Sequence, residues 1–76
     1  MKFYELAKRV ANFVWDFDPY NAKDCYDSFG EAVSCTMIGL CDTEKRKGIL
    51  KWFESVIEEG YEPEYARKLM AEVATL

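Results

Sequence analysis

In the stretch Ile49-Leu50-Lys51-Trp52-Phe53-Glu54-Ser55-Val56-Ile57, large apolar residues return at intervals of three, four, seven and eight. That spacing defines an α-helix with one buried stripe. A chain of 76 residues has room for one hydrophobic core and buries only about 60% of the surface its unfolded form exposes. The stripe must therefore find its opposing faces in the few segments that remain, and those segments repeat the same period.

At the N-terminal side, Phe3, Leu6, Ala7, Val10, Val14 and Phe17 line one face of a helix running from Lys2 to about Phe17. Phe13 and Trp15 fall off that stripe, which makes the second half of the helix apolar on more than one side. Lys8 and Arg9 are expected in solvent. Asp18-Pro19 ends the helix, because the residue before proline is pushed out of the helical region and proline brings no amide donor. The segment Tyr20 to Asp27 reads equally as an ordered loop or as a short helix capped by Asp18 with Pro19 at its first position.

Ser28-Phe29-Gly30-Glu31 fits a capping box, in which the serine hydroxyl takes the Glu31 amide and the Glu31 carboxylate reaches back to the serine amide. The helix it opens has Phe29, Ala32, Val33, Thr36, Met37 and Leu40 on its inner side, against some strand propensity from Val33, Cys35 and Ile38. Asp42 or Thr43 caps the helix that carries Ile49 to Ile57, and Gly60 stops it. Pro63 opens a last helix with the stripe Ala66, Leu69, Met70 and Val73. The expectation is an all-α fold, a compact bundle or orthogonal array of three to four helices, with residues 1–76 forming a single helical domain.

Ten Lys and Arg against fourteen Asp and Glu leave a net charge of −4. That balance argues against direct nucleic-acid binding, which depends on cations neutralising phosphates. No apolar run reaches the roughly 18 residues of a membrane span, and the early charges of Met1-Lys2-Phe3-Tyr4-Glu5 do not suit a signal peptide. A cytoplasmic location is the expectation. Cys25, Cys35 and Cys41 have no zinc-ligand spacing and are read as reduced, partly buried thiols.

Chemistry has little to work with, because the chain has no His and no nucleophile, glycine-rich or metal motif. Asp16, Asp18, Asp24 and Asp27 stand at the first, third, ninth and twelfth places of a loop-like window, superficially like an EF-hand. Tyr20 and Asn21 break that pattern at its fifth and sixth places, and Asp27 is too short for the bidentate last ligand. Neither a metal site nor a cofactor is expected, and the chain is read as a non-enzyme.

Two surfaces are candidates for partner binding. One is the aromatic corner of Trp15 and Tyr20 with Asp16 and Asp18, since Trp and Tyr are enriched at interaction hot spots. The other is the basic edge Lys45, Arg46, Lys47 and Lys51, whose first three cations oppose the positive end of their helix's macrodipole. The alternative reading of that edge is cross-helix ion pairing with Glu44 or with Glu62 and Glu64.

Two stretches, Trp15-Asp16-Phe17-Asp18-Pro19-Tyr20 and Ile49 to Gly60 followed by a short final helix, resemble a small accessory domain of large polyvalent proteins from Gram-positive mobile genetic elements. The resemblance implies a non-catalytic helical module with no active site to carry over. The thiol-rich segment with Cys25, Cys35, Met37 and Cys41 departs from the charged middle of that family. Binding of another protein is the leading expectation. A rival is a small acidic inhibitor whose Glu54, Glu58, Glu59, Glu62 and Glu64 imitate the phosphates read by a nucleic-acid-processing enzyme. Self-association as a homodimer is a third reading, from the excess of large apolar side chains.

Overall fold

The computed structural model describes residues 2–76. It is all-α, with α1 (Lys2–Phe17), α2 (Pro19–Cys25), α3 (Phe29–Cys41), α4 (Thr43–Glu59) and α5 (Pro63–Ala74), and no strand among the described residues. Five helices replace the expected three to four, because the segment after Asp18 resolves as helix. Close contacts group the single chain into two compact units, Met1–Ile38 and Gly39–Leu76.

In the first unit α1 turns Leu6, Ala7, Val10, Ala11 and Phe13 into the interior, while Phe3, Val14 and Phe17 are half-buried. Phe13, off the expected stripe, is 3% exposed. This helix therefore buries two adjoining faces in its second half. Lys8 and Arg9, expected in solvent, are half-buried. The reason at Lys8 is local: its ammonium lies 5.3 Å from the centroid of the Tyr4 ring one turn back, a cation–π contact that draws the stem along the helix.

Asp18 decides the next element. Its backbone is non-helical and its carboxylate accepts the Asn21 amide at 3.2 Å and the Asn21 side-chain amide as well. With Pro19 at the first helical position, the amide that could not be paired is simply missing. The seven-residue α2 buries Ala22 and packs on α1. In α3, Ser28 Oγ accepts the Glu31 amide at 3.2 Å, as the capping box requires. The Glu31 carboxylate, however, takes the amide of Asp27 at 3.2 Å instead of that of Ser28. Ala32 and Val33 are buried, and Thr36 is satisfied on this helix by donating to the Ala32 carbonyl at 2.8 Å.

In the second unit the Asp42 carboxylate accepts the amides of Glu44 at 2.9 Å and Lys45 at 3.2 Å, which starts α4. Gly39 is buried, and a side chain there would meet Ile49 at 3.2 Å. Phe53 and Val56 of α4, Ala66, Leu69 and Val73 of α5, and Leu40 form the buried set, and α4 packs on α5. Gly60 ends α4 in the left-handed conformation at φ 82°, with its amide on the Ile57 carbonyl and the Tyr61 amide on that of Val56.

Glu62 precedes α5 in the same left-handed region, at φ 40°, and makes no side-chain cap. A residue with a Cβ is strained there by about 1 kcal/mol, a cost glycine escapes. Glu62→Gly is therefore expected to raise stability by about 1 kcal/mol. Urea denaturation of the two proteins checks this, and a lower midpoint for the variant would contradict it.

Candidate functional site

The structure separates the residues of the aromatic corner. Trp15 is half-buried, with its ring edge-on to Phe29 at 6.1 Å and 89° between planes, so it is a packing residue that ties α1 to the first turn of α3. Asp18 is spent on the cap of α2. Asp16 is exposed at the end of α1. Tyr20 projects from the first turn of α2 with 84% of its surface in solvent, the highest value among the exposed large apolar residues described. Beside it Pro19 and Lys23 complete the lining of an open depression of about 270 Å³.

The basic edge is likewise divided. Arg46 is half-buried, and its Nε donates to the Leu40 carbonyl at 2.9 Å. The guanidinium thereby satisfies one of the carbonyls that α3 leaves unpaired at its end. Lys47 lies 3.8 Å from Glu44, one turn earlier on the same helix, and both are exposed. Such a surface pair contributes little to stability. Lys51 shares the Lys47 side of α4 one turn on, whereas Lys45 lies about 160° from Lys47 around the helix axis. Three roles thus replace one patch: a helix cap, a mixed-sign solvated face, and a separate exposed lysine. The pairing weighed with Glu62 and Glu64 does not form, and Glu54, Glu58, Glu59, Glu62 and Glu64 are all exposed.

All three cysteines are free, and all are exposed, not partly buried as expected. The inner side of α3 is taken by Ala32, Val33 and Leu40, which rotates Ser34, Cys35 and Ile38 outward. Ile38 is 60% exposed. Tyr26, half-buried after α2, has its hydroxyl held above the ordinary tyrosine range, first by burial and then by the charge of the Cys35 and Cys25 thiolates. Among the described residues no group of three or more His, Cys, Asp or Glu is placed to hold a metal ion.

Sequence reasoning missed two surfaces. One is the exposed side of α3, signalled by the absence of any charged residue from Ala32 to Cys41. The other is an open depression of about 360 Å³ lined by Glu62, Pro63, Glu64 and Tyr65, foreshadowed only by the Gly60 and Pro63 punctuation. No helix is long and apolar enough to cross a membrane among the described residues. No family model, curated protein or solved structure matches this chain.

Proposed function

We propose that the chain is a non-catalytic protein-interaction module that acts in the cytoplasm and binds another protein through the corner headed by Tyr20. The observation that carries this reading is Tyr20 itself, a tyrosine with 84% of its surface in water. A tyrosine gains by burial, and this one is left largely in water; at protein interfaces Tyr supplies a large rigid contact with a polar tip. Lys23, on the lining of the same depression, supplies a charge beside it. The likeness to accessory domains of mobile genetic elements agrees with a helical module that works beside a larger protein.

Affinity capture from nuclease-treated bacterial lysate at low and high salt tests the proposal, with Tyr20→Ala as the control. Tyr20→Ala is expected to weaken capture by about tenfold or more while leaving the far-ultraviolet circular dichroism unchanged, since the side chain is already in water. Equal recovery by the variant would overturn the role of this corner. Trp15→Ala is unsuitable as that control, because it removes the edge contact with Phe29. The rival, an acidic inhibitor acting through Glu54 to Glu64, rests on the exposure of those carboxylates. It would be favoured by a nuclease or polymerase recovered only at low salt, where charge attraction is least screened.

Self-association is a second reading, favoured by the outer side of α3. From Ala32 to Cys41 this helix carries no charge, and a largely apolar helix is ordinarily covered, yet Cys35 and Ile38 stand in solvent. Light scattering over a concentration series, in reductant, is expected to show a mass that rises with concentration and an Ile38→Asp variant that stays monomeric. A constant monomer mass for the unaltered chain would remove this reading and leave the Tyr20 proposal standing.

A further inference from the structure

We draw no further inference here: the strongest candidate, the side-chain cluster of Cys25, Tyr26 and Cys35 between α2 and α3, rests only on the upward shift that burial and the two thiolates impose on the tyrosine hydroxyl, and nothing in the structure brings the two sulfurs together as a site.

Discussion

Phe53→Ala is expected to cost about 3–5 kcal/mol of folding free energy, the range for removing a buried aromatic ring. Phe53 has no exposed surface, sits at the centre of the α4 stripe, and has the Trp52 ring edge-on at 5.1 Å. Val56 on the same helix and Ala66, Leu69 and Val73 on α5 are equally closed to water. A cavity left there is bounded by helices whose positions are held by Asp42 and Gly60 at the two ends of α4, so it can collapse only in part. The total stability of a 76-residue chain is roughly 4–11 kcal/mol, so the variant loses about a quarter of it or more. A fall in melting temperature of roughly 12–40 °C follows from the entropy of unfolding of a domain this size. Thermal and urea unfolding followed by circular dichroism measure it. A loss below about 1 kcal/mol would show that Phe53 is not enclosed as described.

Leu40→Ala and Ile38→Ala form the second test, because the two residues are neighbours on α3 with opposite fates. Leu40 is fully buried and its carbonyl holds the Arg46 guanidinium, while Ile38 is 60% exposed. Truncating Leu40 is expected to cost about 2–5 kcal/mol. Truncating Ile38 is expected to change stability by less than about 0.5 kcal/mol when the chain is monomeric. Urea midpoints taken at low protein concentration separate the two. Equal losses would mean that Ile38 is covered within the chain, and the argument for self-association through α3 would go with it.

α4 and α5 could be read almost residue by residue. In each, charged residues and apolar residues occupy different sides, so the period of the stripe names the buried face directly. Phe53, Val56, Ala66, Leu69 and Val73 are all inside. The caps were legible too, since Asp18, Ser28, Asp42 and Gly60 are the residue types whose short side chains, or absence of one, serve unpaired backbone groups. The open choice after Pro19 fell to helix. There a carboxylate that could cap and a proline that could begin the helix coincide, and Ala22 found a buried place.

α3 shows where the pattern runs out. With only Glu31 charged among its residues, periodicity leaves its orientation weakly specified, and Met37 ends half-buried beside a buried Gly39 and Leu40. The thiols followed that orientation outward. The candidate sites were less legible still, because residue type alone says what a side chain can do and not which neighbour engages it. Trp15 and Tyr20 are both large aromatics in one short stretch, yet Phe29 takes up the first and nothing comparable meets the second. Arg46 and Lys45 are adjacent cations, yet one reaches the Leu40 carbonyl and the other does not.

What the sequence by itself determined is the helical class, the ends of the helices and the buried faces of α4 and α5. These are local properties, set by backbone donors that need partners and by a period of 3.6 residues that sorts apolar from polar side chains. The tertiary structure alone decided the outward side of α3, the exposure of the three cysteines, and the division of both candidate surfaces into packing, capping and free residues. Those outcomes depend on which side chains compete for the same few interior places and backbone carbonyls, and that competition is settled between segments distant in sequence.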